Sequence, residues 1–144
     1  MTGEHHYTLD EKGRLLLPKA FRGELRDGLV ITRGLEGCLY GFPLLAWQRL
    51  EAELAQLPIT NPKAAALARF LIGGALKGRL DAAGRIALPP QLLLHADIRE
   101  EVVVIGMKSR FELWSPGRWS EELARLTSPQ AQRDGLELIQ TLLR

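Results

Sequence analysis

The sequence predicts a mainly β fold with helices: a compact β-barrel of pseudo-twofold symmetry, decorated by α-helices. Three observations predict it. LDEKGRLLLP (Leu9 to Pro18) returns as LDAAGRIALP (Leu80 to Pro89). VITRGLEGCLYGFPLLAW (Val30 to Trp47) returns as VVVIGMKSRFELWSPGRW (Val102 to Trp119), matching Leu29 or Val30 to Ile31 with the run Val102 to Ile105, Tyr40 and Phe42 with Glu112 and Trp114, and Trp47 with Trp119. Each half holds about 45 residues, too few for a secure core of its own. Two halves with interleaved hairpins can share one core, so the internal repeat sets the fold.

The elements follow in chain order. A short strand enters at Tyr7 to Leu9. Asp10-Glu11-Lys12-Gly13 has Asp first and Gly fourth, a type I turn signature. The Asp side chain can accept from turn N–H groups, and the Gly can take positive φ without a Cβ clash. Arg14 to Leu17 is a second strand; Pro18 ends it and suits the first turn of a helix. Lys19 to Leu25 reads as that helix, with Phe21 and Leu25 on one face. Strands at Leu29 to Thr32 and Cys38 to Phe42 follow across a Gly-rich turn. Trp47, Leu50, Leu54 and Leu57 stripe a helix over Leu44 to Leu57. Thr60-Asn61-Pro62 starts another over Lys63 to Ile72, which Gly73-Gly74 stops. The second half repeats the plan: turn Asp81 to Gly84, strand Arg85 to Leu88, Pro89-Pro90 before a helix, then strands Val102 to Ile105 and Phe111 to Trp114. Ser115-Pro116 and Ser128-Pro129 start two more helices, the last striped by Leu136, Ile139, Leu142 and Leu143.

Hydrophobic residues make up 46% of the chain and charged residues 25%, the balance of a soluble globular protein. A net charge of +2 excludes a bulk polycation. Binding to nucleic acid therefore needs a local basic patch multiplied by oligomerisation. The lone Cys38 makes no internal disulfide and fits a reducing compartment. The N-terminal MTGEHHYTLDEKGR has no apolar h-region, and no run approaches the ~18 apolar residues of a membrane span. The expectation is a soluble, cytoplasmic protein without membrane partners.

A hairpin of the G-R-h-x-h-P type followed by a short helix resembles the AbrB/SpoVT swapped-hairpin module. Two copies in one chain, each with D-x-x-G-R, together with RGLEGCLYGFP, the L-P-I-T-N linker and FELWSPGRW, resemble the MraZ family. The resemblance runs from residue 4 to about residue 125. It implies a bacterial DNA-binding transcriptional regulator of the division and cell-wall gene cluster, its own promoter included. It also implies a double-split β-barrel, ring-shaped homo-oligomers, and binding to short direct repeats of double-stranded DNA on the nucleoid. No cofactor is implied. The chain then divides into a first SpoVT-AbrB-type module at 4–48, a helical linker at 49–75, a second module at 76–119 and a C-terminal helical segment at 120–144. Lys12 follows the family pattern at the first turn, whereas Ala83 departs from it at the second.

A DNA-reading β-ribbon needs short side chains at its tip and cations that reach phosphates or base edges. Arg14 and Arg85 follow the turn glycines, and a guanidinium can bind a guanine edge through two hydrogen bonds or clamp a phosphate. Lys12, Lys19 and Arg22 suit phosphate contact. Lys77 and Arg79 precede the second motif and are placed to replace the missing tip lysine. Asp10 and Asp81, with Gly13 and Gly84, form the turns and orient the arginines; a bare carboxylate would repel phosphate. The competing view is that each Asp–Arg pair simply fixes its hairpin, and both roles can hold at once.

Other residues carry less. His5 and His6 have no further His or Cys at ligand spacing, so no metal is expected. Cys38 reads as a buried strand residue, and Trp47 and Trp119 as packing residues. An enzyme using Asp10 and Asp81 would need two groups in one pocket with unlike environments, whereas these are repeat equivalents without a nucleophile beside them. An antitoxin-like or architectural interaction module is the alternative to a regulator, since this barrel type also neutralises toxins and fold alone does not fix function. Against it, the last segment is an apolar-striped helix and not a disordered acidic tail.

Overall fold

The computed structural model describes residues 1–144. Eight strands form: β1 (Glu4–Thr8), β2 (Arg14–Leu16), β3 (Leu29–Arg33), β4 (Leu39–Pro43), β5 (Leu76–Gly78), β6 (Arg85–Ala87), β7 (Glu101–Gly106) and β8 (Phe111–Trp114). Five α-helices accompany them: α1 (Leu44–Ala55), α2 (Pro62–Leu71), α3 (Pro90–His95), α4 (Pro116–Leu126) and α5 (Pro129–Leu142). Helices hold more residues than strands, yet the strands build the main core, so the mainly β reading with decorating helices stands.

All strand pairs are antiparallel. A six-stranded sheet runs β1-β7-β8-β4-β3-β5, and β2 pairs with β6 as a separate ribbon. The first strand of each half pairs with the third strand of the other: Tyr7 faces Val102, and Gly78 faces Leu29. The halves are thus interleaved. Where the second strands meet, Leu15 faces Ile86; where the fourth strands meet, Tyr40 faces Glu112. In both places a residue meets its own repeat counterpart, so the pseudo-twofold axis passes through both. Gly41 sits beside this axis because Phe111 lies over it: a Cβ there would overlap the ring.

The expected barrel is not closed by one continuous ladder. β1 and β5 are sheet edges, and the ribbon packs Leu15 and Ile86 into the same core. That core joins Leu29, Ile31 and Phe21 of the first half to Val102, Val104, Phe111 and Leu113 of the second. A second cluster, Val30, Phe42, Trp47, Leu54 and Leu71, seals α1 and α2 onto the opposite sheet face.

Three expectations shift. Lys19 to Leu25 is not an α-helix but a single 3-10 turn over Lys19–Phe21 followed by further turns. Its counterpart α3 is α-helical; Gly23 weakens the first copy, whereas Pro90 at the helix start favours the second. Cys38 is buried but precedes β4. Val30 faces Phe42 while Val103 faces Trp114, so Val30 is the counterpart of Val103 and not of Val102. The connecting loop in the second half is therefore one residue shorter.

Candidate nucleic-acid interface

The two D-x-x-G-R turns are built alike. The N–H of Gly13 donates to the Asp10 carbonyl at 3.0 Å, and that of Gly84 to the Asp81 carbonyl at 3.0 Å. Both glycines have positive φ, +72° and +89°, which a side chain would strain. Asp10 Oδ1 accepts from the N–H of Lys12 at 3.0 Å and of Arg14 at 2.8 Å; its Oδ2 accepts from Arg14 Nε at 2.6 Å. Asp81 repeats this with Ala83, Arg85 and Arg85 Nε at 3.0, 2.9 and 2.9 Å. These N–H donors, the backbone of the following arginine first, hold both carboxyls below their ordinary range.

The ribbon brings the turns side by side. The N–H of Leu17 donates to the Gly84 carbonyl at 3.1 Å, and that of Leu88 to the Gly13 carbonyl at 3.0 Å. Arg85 Nη1 also reaches Asp10 Oδ2 at 3.6 Å, but the reciprocal Arg14–Asp81 pair does not form. Arg14 and Arg85 therefore sit in one cluster with two carboxylates, each about one-third exposed with Nε committed. Pairs this exposed add little to stability. Their effect is on geometry, aiming both guanidinium groups from fixed positions.

Excess charge must come from the other cations. Lys12, Lys19, Arg22, Lys77 and Arg79 have no acid within ion-pair distance. Lys12 is exposed on the first turn and Lys19 heads the 3-10 turn. Arg22 donates through Nε and Nη2 to the Leu17 carbonyl at 3.2 and 3.1 Å. It also lies against Gly84, where a Cβ would overlap its guanidinium. A first-half cation thus crosses to the second turn, which lacks a lysine. Lys77 and Arg79 line a groove of about 320 Å³ with Asp27, Gly28 and Leu44. No turn residue shares that groove. The residue signal for Arg22 was present in its charge, but its crossing follows from ribbon pairing that no local pattern reports.

Several arginines are structural, which sequence alone did not distinguish. Arg118 Nη1 donates to the Gly37 and His95 carbonyls at 2.9 and 2.8 Å. Arg33 donates to the Phe70 and Arg69 carbonyls, both at 2.9 Å, stapling α2 to β3. Burial, reinforced by Glu112, pushes the Cys38 thiol up to about 12, so it is no nucleophile at neutral pH. His5 bonds the Thr2 carbonyl and His6 the Glu4 carboxylate. Trp47 is fully buried, and Trp114 and Trp119 pack edge to face. No helix is long and apolar enough to cross a membrane.

A family model described as "MraZ protein, putative antitoxin-like" matches the chain twice, over residues 1–70 and 71–136. The chain belongs to the MraZ family. The MraZ resemblance carried by the paired turns and by FELWSPGRW therefore holds, with one match on each half of the repeat. Relatives named transcriptional regulator MraZ are 47% identical in Thermus thermophilus over 90% of this chain and 94% of theirs. In Deinococcus radiodurans the figure is 44%, over 92% of this chain and 93% of the relative. In Limosilactobacillus fermentum it is 46%, over 82% of each. These place the chain among transcription regulators, a non-enzymatic role.

Proposed function

We propose that this member of the MraZ family is a sequence-specific DNA-binding regulator, with the β2–β6 ribbon as its reading element. The observation that carries this is the pairing of both D-x-x-G-R turns on one ribbon, with two oriented arginines and unpaired Lys12 and Arg22 beside them. Arg14 and Arg85 contact base edges or phosphates; Lys12, Lys19 and Arg22 contact phosphates, and Lys77 and Arg79 contact the backbone further out. The target is short direct repeats in its own promoter region, within the division and cell-wall cluster on the nucleoid. Copies assemble into a ring, so that tandem repeats engage several ribbons at once and affinity multiplies.

Fluorescence anisotropy tests this, using a duplex with tandem repeats from the chain's own upstream region against a scrambled duplex over a salt series. Repeat-dependent binding is expected, with log K falling linearly in log salt at roughly 0.9 per phosphate contacted. Equal weak binding to both duplexes would sink the proposal and favour the antitoxin-like module, to be pursued by a search for a protein partner.

A further inference from the structure

The outward face of the β2–β6 ribbon is small enough to account for side chain by side chain. Leu15 and Ile86 face each other and turn into the main core. Side chains alternate along a strand, so Arg14 and Leu16 of β2 share the opposite face with Arg85 and Ala87 of β6. The register sets Arg14 across from Ala87 and Leu16 across from Arg85. Each arginine therefore has an apolar neighbour on the other strand. The N–H of Leu17 donates to Gly84 and that of Leu88 to Gly13. Bonded and unbonded pairs alternate along an antiparallel ladder, so both arginine–apolar pairs are unbonded ones, with side chains about 5 Å apart.

Leu16 is the larger member of its repeat pair, since Ala87 stands at the matching place in the second half. It is half-buried, yet it belongs to none of the three apolar clusters. Core packing therefore does not account for its size. The chemistry of the face does. A two-stranded ribbon fits the major groove, where arginine reads a guanine edge. An A·T pair offers an adenine edge, which Asn or Gln reads, and the thymine C5-methyl, which an apolar side chain reads. The face holds no Asn or Gln. The carboxylates beside it, Asp10 and Asp81, are committed to turn N–H groups and to the arginines. Reading of an A·T pair on this face falls to the apolar positions, and Leu16 has the longer reach of the two.

We infer that Leu16 is a specificity residue, packing on the C5-methyl of a thymine one base pair from the pair that Arg85 engages. The assignment rests on the ribbon being the DNA-reading element and names one base of its target. A side-chain spacing of about 5 Å exceeds one base-pair rise of about 3.4 Å, so the two residues meet neighbouring pairs and not the same pair.

Replacing thymine by uracil tests this, because it deletes the methyl and nothing else. Full-length wild type, Leu16→Ala and Leu16→Ser are titrated by anisotropy against the tandem-repeat duplex and a scrambled duplex. Further duplexes carry uracil at each thymine of the repeat in turn, in every copy. Circular dichroism with a thermal melt checks folding, and two variants are carried so that one folded variant suffices. For the wild type, uracil at one position should weaken binding by about fourfold or more, the worth of one buried methyl. The Leu16 variants should bind the thymine and uracil duplexes equally, at the wild type's uracil level. A leucine that merely props Arg85 would, when shortened, weaken binding to both duplexes and leave the uracil penalty in place. Repeat-specific binding with no uracil-sensitive position, or a penalty that persists in a folded Leu16 variant, would overturn the inference and leave the ribbon as the reader. Equal binding of the wild type to repeat and scrambled duplexes would overturn the proposed function, and this assignment with it.

Discussion

At the scale of single residues, Asp10 and Asp81 show how little local sequence is needed to build a precise site. Five positions supply a carboxylate, two N–H donors, a positive-φ glycine and the arginine that the carboxylate aims. Both carboxyls are held below their ordinary value of 3.8, chiefly by the backbone N–H of the following arginine. A depressed folded-state pKa contributes stability above the unfolded value, and that contribution is lost as pH falls through the folded value. A carboxyl-detected NMR titration should therefore place both midpoints below 3.8, with the turns intact throughout the neutral range. Arg14→Ala should abolish repeat-specific anisotropy while the melt moves by only a few degrees; loss of fold would assign the pair to hairpin stability alone. Arg85→Ala should weaken binding to a similar or smaller degree. The glycines separate two effects. Gly13→Ala meets only φ strain, about 1–2 kcal/mol, whereas Gly84→Ala also displaces Arg22. Denaturant melts should rank Gly84→Ala as the more damaging, and DNA binding should fall further for it than its stability loss explains.

At the scale of elements, most of the strands and all five α-helices were legible because their signals are local. Phe111–Trp114 and the Ser-Pro starts of α4 and α5 stand where alternation and capping placed them. Lys19 to Leu25 failed because a plausible apolar face outweighed the cost of Gly23. The crossing of Arg22 to the other half's turn was not legible. It depends on which strands pair, and periodicity does not encode pairing. The same limit hid the reason for Gly41, which looks like an ordinary strand glycine in sequence. Gly41→Ala should cost about 1–3 kcal/mol by overpacking against Phe111. Adding Phe111→Leu should recover part of that loss, a coupling that a double-mutant cycle in denaturant reads directly. Additive effects would mean that the ring does not set the space.

For the whole molecule, interleaving makes the two halves one cooperative unit. Each half lends its first strand to the other and shares a single core. Separately produced fragments 1–70 and 71–144 should each lack a melting transition, and mixing them should restore one; a half that folds alone would contradict the shared core. Intact, the chain should melt in one transition with coincident fluorescence and circular dichroism.

The pseudo-twofold ribbon has a further consequence. Two identical halves would give it no front or back, as suits a palindrome. Here Lys12 marks one turn, while Ala83 and a Gly84 overlaid by Arg22 mark the other, and only one cross-turn ion pair forms. Fusion of the two halves into one polypeptide is what permits such divergence, since two copies of a single gene product cannot differ. The ribbon therefore has a polarity. If the ribbon reads DNA as proposed, that polarity would seat it on a direct repeat in one sense only, with successive copies along tandem repeats all facing the same way.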